Sequence, residues 1–213
     1  MVRKHFFVIS VVCILVFCSV NVAFADLSVG VKEGDWIEYT VDYTGSPVAG
    51  HDVVWARMEV LEVQGPSITV RITSRFSDGA TEQLNTTLNL ETGHLIDNFI
   101  IPANLHEGDT FFDENLGNVT IAEALQRTYT GAIRTVLSAS ISDNTYFWDQ
   151  ATGVSVEGNT ETSDYTMHTI VENTNMWGPT EEQDWMLLIA IALIVSIVVA
   201  LVFVLWSKNK NHS

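Results

Sequence analysis

The sequence predicts a mainly β protein, an antiparallel meander forming a curved sheet or half-barrel, followed by one C-terminal transmembrane helix. Three observations carry this. Period-two alternation of apolar and polar residues recurs along the middle of the chain, turn-forming clusters separate the alternating runs, and one long apolar block sits near the C-terminus.

The first run is Trp36 to Tyr43, where Ile37, Tyr39, Val41 and Tyr43 alternate with Glu38, Thr40 and Asp42. This is the pattern of a half-buried strand, because successive side chains point to opposite faces. The second places Val54, Ala56, Met58 and Val60 against Arg57 and Glu59. The third places Ile68, Val70 and Ile72 against Thr69 and Arg71, and the fourth places Leu84, Thr86, Leu88 and Leu90 against Gln83, Asn85, Thr87 and Asn89. Between them stand Gly45-Ser46-Pro47, Gln64-Gly65-Pro66, Ser77-Asp78-Gly79 and Glu91-Thr92-Gly93, which favour tight reversals. Each strand has one greasy face, so something must cover one side of the sheet.

The second half alternates more loosely. Ile133, Leu137, Ala139 and Ile141 face away from Arg134, Ser138 and Ser140; Tyr146 and Trp148 lead into Ala151-Thr152-Gly153 and Val154-Ser155-Val156, and a last strand is expected over 166–171. Residues 121–126 contain helix formers, but their neighbours Val119, Thr120, Thr128 and Tyr129 favour strand, and both readings stay open. Glu-Gly-Asp occurs twice before an expected strand, at Glu33-Gly34-Asp35 and Glu107-Gly108-Asp109; reuse of one turn chemistry accounts for this better than a duplicated domain.

The two ends read as addresses. Arg3 and Lys4 precede an apolar run, and Ala23-Phe24-Ala25 closes it, so residues 1–25 are expected to be a signal peptide cut after Ala25; an uncleaved anchor is the alternative. Cys18 follows the bulky Val16 and Phe17, which fits a lipobox poorly. From Met186 to Leu205 run 20 residues without a charge, flanked by Trp185 and Trp206 at the positions where indoles meet the two interfaces. Lys208 and Lys210 follow the span, and positive charge stays in the cytoplasm. The expected order is therefore an acidic all-β ectodomain over 26–177, a juxtamembrane stalk over 178–185, a transmembrane helix over 186–206 and a basic cytoplasmic tail over 207–213. The protein is expected in the cell membrane, single-pass and type I, with its ectodomain outside.

Charge and cysteine content narrow the chemistry. All 26 acids lie between Asp26 and Asp184, where only six bases accompany them, so nucleic-acid binding is not a leading reading. Both cysteines, Cys13 and Cys18, fall in the expected leader, leaving the ectodomain to stand by packing alone.

Several side-chain groups are candidates for function. Glu107, Asp109, Asp113 and Glu114 are the densest carboxylate cluster, a candidate for calcium, although a solvated acidic loop is the preferred reading. His51, His94, His106 and His168 are scattered without zinc-ligand spacing. Trp36, Trp55, Trp148 and Trp177, with Tyr39, Tyr43, Tyr146 and Tyr165, are candidates for a sugar or peptide groove or for core filling. Asn85-Thr86-Thr87 and Asn118-Val119-Thr120 are glycosylation acceptors on the outer side; Asn211-His212-Ser213 fits the pattern but falls in the cytoplasmic tail. Catalytic motifs are absent, no cofactor is expected, and an enzyme is not the expectation.

Four stretches carry a resemblance: Gly30 to Tyr39, Ile100 to Asp109, Thr128 to Val136, and Tyr146-Phe147-Trp148-Asp149-Gln150-Ala151-Thr152-Gly153. Together they resemble uncharacterised secreted, singly anchored proteins of archaea, over nearly all of the ectodomain; the resemblance implies no activity. The aromatic-Trp-Asp-x-x-Thr-Gly hairpin is also similar to one in periplasmic lipoprotein carriers, which implies a half-barrel that shelters acyl chains. The functional expectation is an envelope binding or structural protein that meets a protein, a glycan or an apolar ligand. A tethered carrier is the runner-up and a hydrolase of envelope polymers third.

Overall fold

The computed structural model describes residues 27–46 and 52–179. The expected leader, the segment 186–206 with its flanking Trp185 and Trp206, and the tail with Lys208 and Lys210 lie outside them. Among the described residues no helix is long and apolar enough to cross a membrane. Residues from Leu27 to Gly178 belong to one compact unit.

Eleven strands form among the described residues: β1 (Trp36–Gly45), β2 (Val53–Gln64), β3 (Ser67–Phe76), β4 (Thr81–Asn89), β5 (Thr110–Asp113), β6 (Gly117–Thr120), β7 (Glu123–Tyr129), β8 (Ala132–Ile141), β9 (Asn144–Asp149), β10 (Ser155–Glu161) and β11 (Tyr165–Thr174). Nine make one antiparallel sheet in the order β4-β3-β2-β1-β11-β10-β9-β8-β7, and β5 and β6 pair separately. The mainly β, antiparallel expectation therefore holds. Two sequential meanders are joined where the first strand pairs with the last, in a register running from Ile37 opposite Thr174 to Gly45 opposite Tyr165.

The alternation of β1 is realised as expected: Ile37, Tyr39 and Val41 are buried, with exposures of 0%, 2% and 8%. In β2 the expectation fails at one residue. The register shifts between Val53 and Trp55, so Val54 is a bulge and Val53 takes the inward place that simple alternation assigned to Val54. Leu88 of β4 and Leu90 just after it are buried, whereas Leu84 is 55% exposed. The inward face continues there, but among the described residues nothing fills the space in front of it.

Residues 121–126 do not form a helix. They lead into β7, whose Glu123 to Tyr129 pair with Ser138 to Ala132 of β8, so hydrogen bonding to a long neighbour overrides local helix preference. The last strand extends beyond 166–171 to Tyr165–Thr174.

The inner face is covered by the segment that follows β4 and by the β5–β6 hairpin. Leu95, Ile100, Ile101 and Leu105 are all at most 5% exposed, and Phe111 of β5 meets Trp148 edge-on with ring centroids 5.7 Å apart. The two Glu-Gly-Asp turns share one geometry. Asp35 Oδ2 accepts from Lys32 N at 2.9 Å and Asp109 Oδ2 from His106 N at 2.7 Å, with Gly34 and Gly108 at φ of 85° and 86°. Reuse of turn chemistry describes both.

The Tyr146-to-Gly153 stretch staples the covering segment to the sheet. Trp148 is fully buried and donates Nε1–H to Asn98 O at 2.7 Å, and Tyr146 stacks on it at 5.4 Å. Asp149, 1% exposed, accepts from Arg134 Nε at 2.7 Å and Nη2 at 2.9 Å, and from Thr152 N and Oγ1 at 2.9 Å. Gln150 Nε2 donates to Leu105 O at 2.7 Å, and Ile101 N donates to Gly153 O at 2.9 Å.

Candidate cleft on the inner sheet face

Covering stops short of one end. The covering segment fills the half of the inner face near Ile37, Ile68 and Leu88, but not the half near Tyr43, Leu84 and Tyr165. Two adjoining hollows of about 410 Å³ and about 440 Å³ remain there. The first is lined chiefly by apolar side chains of β1–β4 and β11, including Val41, Val53, Ile72, Leu84 and Met167. The second extends toward β9 and β10, where Asn144, Tyr146, Gly158 and Asn159 give it a more polar wall. Tyr39, Asp97, Phe99, Tyr165, Met167 and Thr169 border both.

A left-handed turn builds the boundary between the filled and open halves. Ile96, Asp97 and Asn98 have φ of 47°, 53° and 56° in succession, a conformation that non-glycine residues hold at a cost of order 1 kcal/mol each. Its effect is to send neighbouring side chains opposite ways. Asn98 is 4% exposed and lies against Trp148, while Asp97 is exposed and borders both hollows. Asn98 Oδ1 is the buried side-chain atom left without a partner among the described residues.

The tyrosines divide into anchored and peripheral members. Tyr39 donates its hydroxyl to Ser155 O at 2.7 Å, Tyr43 to Val53 O at 2.6 Å. Burial pushes the Tyr39 phenol far up, and burial with the nearby Asp52 carboxylate pushes that of Tyr43 up to about 12. Burial, with Asp97 beside it, also raises Tyr146. All these hydroxyls stay protonated at physiological pH.

The sequence-derived aromatic set is thus split by the fold. Tyr39, Tyr43, Tyr146 and Tyr165 converge on the cleft. Trp148 is core, and the other three tryptophans carry arginines: Arg57 sits 4.2 Å over Trp36, Arg75 5.4 Å over Trp55 and Arg134 4.9 Å over Trp177. Alternation had put Tyr39 and Tyr43 together and Trp36 on the other face. That Tyr146 and Tyr165 join them depends on the pairing of β9, β10 and β11, which no local pattern states.

The carboxylate cluster is dispersed among local partners. Asp109 caps its own turn, Asp113 Oδ1 accepts from Asn115 N at 2.7 Å and Leu116 N at 2.9 Å, Glu114 pairs with His94 Nδ1, and Glu107 is exposed. Among the described residues no three His, Asp or Glu side chains converge as a metal group. His106 lies 3.5 Å from Asp109 and His168 3.4 Å from Glu157; His51 lies outside the described residues. Asn85 and Asn118 are both exposed, on β4 and β6.

On the outer face, Glu157 collects Tyr129 Oη at 2.6 Å and Arg127 Nη1 at 2.8 Å. Burial works to raise its carboxyl, but these donors outweigh it and hold it below the usual carboxylate range. This network joins β7 to β10 across two intervening strands, a structural role that leaves the cleft untouched.

No protein-family model matches the chain, and no curated protein matches its sequence.

Proposed function

We propose that this chain is a membrane-tethered, extracytoplasmic binding protein that shelters an apolar ligand in the cleft of its sheet. The observation that carries the reading is the unfilled half of the inner face. Val41, Val53, Ile72 and Leu84 border about 410 Å³ that the covering segment leaves open, although the same face is closely packed a few residues away. Apolar side chains facing water gain roughly 25 cal/mol per Å² when a ligand covers them, and a hollow of this size is in the range of small-molecule sites. Of the roles weighed from sequence, the tethered carrier is the one that needs such a space. Anchoring through 186–206 would hold the domain at the membrane surface, outside the cell.

A filled-cleft variant tests this. Gly158 borders the second hollow, a side chain there meets nothing within 4 Å, and its backbone needs no left-handed conformation. Gly158→Phe should keep the fold, seen by far-ultraviolet circular dichroism, and Ala56→Trp should fill the first hollow. Together they should lower affinity for a neutral alkyl probe such as 1-octanol at least tenfold. Unchanged binding would remove the cleft as the site.

A second reading, display of the sheet to an envelope protein, is favoured by its open edges. Among the described residues β4 has no neighbour beyond it in the sheet, and residues 81–85 are exposed, so an extended segment has backbone groups to pair with. Proline at Asn85 would abolish such capture and leave octanol binding intact.

A further inference from the structure

The charge of the cleft mouth selects among apolar ligands. Three turns lie at the open end of the sheet: β3–β4, β8–β9 and β10–β11. Each carries an aspartate, namely Asp78, Asp143 and Asp164. Inside the rim, Glu82 borders the first hollow and Asp97 borders both. Among the described lining residues of either hollow there is no Lys, Arg or His. The arginine nearest this end, Arg75, lies over Trp55, which borders neither hollow.

The remaining bases are committed elsewhere. Lys32 pairs with Asp35, Arg57 with Glu38, Arg71 with Glu59, Arg127 with Glu157 and Arg134 with Asp149, all away from the cleft. Among the described lining residues, Glu82 and Asp97 therefore have no basic side chain to offset them. A concave site with low-dielectric walls concentrates the field of the charges around it.

The walls add a second attraction of the same sign. Phe99, Tyr146 and Tyr165 border the space next to Asp97, and Tyr39, 2% exposed, packs behind with its ring centroid 6.3 Å from that of Phe99. Aromatic faces attract weakly hydrated cations, most strongly where water is partly excluded. A hydrated metal ion or a simple ammonium would use the carboxylates but waste the apolar walls. A fatty acid or phosphate-bearing lipid would use the walls but meet like charge at the entrance.

We propose that the cleft takes a small amphiphilic organic cation, an alkyl or aryl group bearing a quaternary or alkylated ammonium, with the apolar part on the β1–β4 side and the cationic head against Asp97 and the tyrosines. This rests on the sheltering reading above and names its ligand class. The size of the hollows fits one drug-sized molecule, which separates this occupant from a polymer or a folded partner.

The test compares three probes that share one alkyl chain: octyltrimethylammonium, 1-octanol and octyl sulfate. Each is titrated calorimetrically into the full-length chain in zwitterionic nanodiscs, with empty nanodiscs subtracted. The cation is expected to bind at least about tenfold more tightly than the sulfate, with octanol between them. In the Asp97→Asn, Glu82→Gln double variant the gap should shrink to about threefold or less while octanol affinity stays unchanged. Asparagine tolerates the left-handed backbone at 97, so the turn survives the substitution. Tyr165→Leu should weaken the cation but not octanol. Equal binding of cation and sulfate, with octanol bound, overturns the charge selection and leaves the sheltering reading standing. Failure of all three to bind overturns both.

Discussion

Replacing Asp149 should cost more stability than any other single carboxylate of the domain, and the size follows from its surroundings. The side chain is 1% exposed and accepts four hydrogen bonds, two from Arg134 and two from Thr152. Asp149→Ala strands the guanidinium of Arg134 and leaves the buried Thr152 amide unsatisfied. Breaking one side of a buried ion pair costs about 3–5 kcal/mol, and an orphaned buried amide adds about 1–3 kcal/mol, offset in part as Arg134 turns toward Trp177 and solvent. A loss of about 4 kcal/mol is expected, a large share of the roughly 5–15 kcal/mol that holds a domain folded. Asp149→Asn keeps an oxygen for Thr152 but turns an amide donor toward Arg134 Nε–H, and should cost about 2–3 kcal/mol. In a cycle with Arg134→Leu, the two sites should couple by at least about 1.5 kcal/mol. Urea unfolding of the full-length chain, followed by tryptophan fluorescence, measures all of these. Glu59→Gln serves as the reference: its pair with Arg71 is 3.4 Å long with both side chains more than a third exposed, and should be worth under about 0.5 kcal/mol. If Asp149→Ala matched that reference, or if the cycle were additive, the stapling role assigned to this hairpin would be wrong.

Three further outcomes are expected. Gly153→Ala should destabilise strongly, by roughly 2 kcal/mol or more, because Gly153 has φ of 72° and a Cβ there would lie 2.1 Å from Ile101 O; thermal unfolding reads it. Glu157 has its carboxyl held low in the folded state, so its contribution is present above the ordinary carboxylate pKa of about 4.3 and is lost as pH falls through the folded value; Glu157→Gln should be destabilised at pH 7 and converge on the parent in acid, seen in urea midpoints across that range. Leu88→Ala should cost about 2–4 kcal/mol and Leu84→Ala under about 0.5 kcal/mol, although both lie on the inward face of β4; equal costs in urea unfolding would mean the half near Leu84 is filled.

How legible this was in the sequence differs between its parts. β1, β3 and the lower half of β4 could be read directly, since a sheet wet on one face and dry on the other must alternate. Val54 could not, because a bulge changes the face of a residue without changing its neighbours in the chain. The run Ile121 to Gln126 was ambiguous because the pairing with β8 that decides it comes from residues nine to fifteen positions later. A strand after Glu107-Gly108-Asp109 was legible and is β5, but its pairing with β6 was not; both strands are four residues each, too short for alternation to show.

The cleft was half visible. Tyr39 and Tyr43 shared a face by alternation, and Leu84 continued the apolar face of β4. That the face is filled at Leu88 and open at Leu84 depends on where the covering segment turns at Ile96, Asp97 and Asn98, and three left-handed residues without a glycine leave no sequence signal. Nearness in sequence is a poor guide to which carboxylates share a site. Asp109, Asp113 and Glu114 are close in sequence, yet β5 separates Asp109, just before it, from Asp113 at its end, while Glu82 and Asp97 border one hollow from separate segments.

Methyl-resolved nuclear magnetic resonance during a titration with 1-octanol tests the open cleft most directly. The signals of Val41, Val53, Ile72, Leu84 and Met167 should shift together in a saturable way, while those of Ile37, Val70 and Leu88 on the same sheet face stay in place. Shifts spread evenly over both groups, or confined to the outer face, would contradict the account.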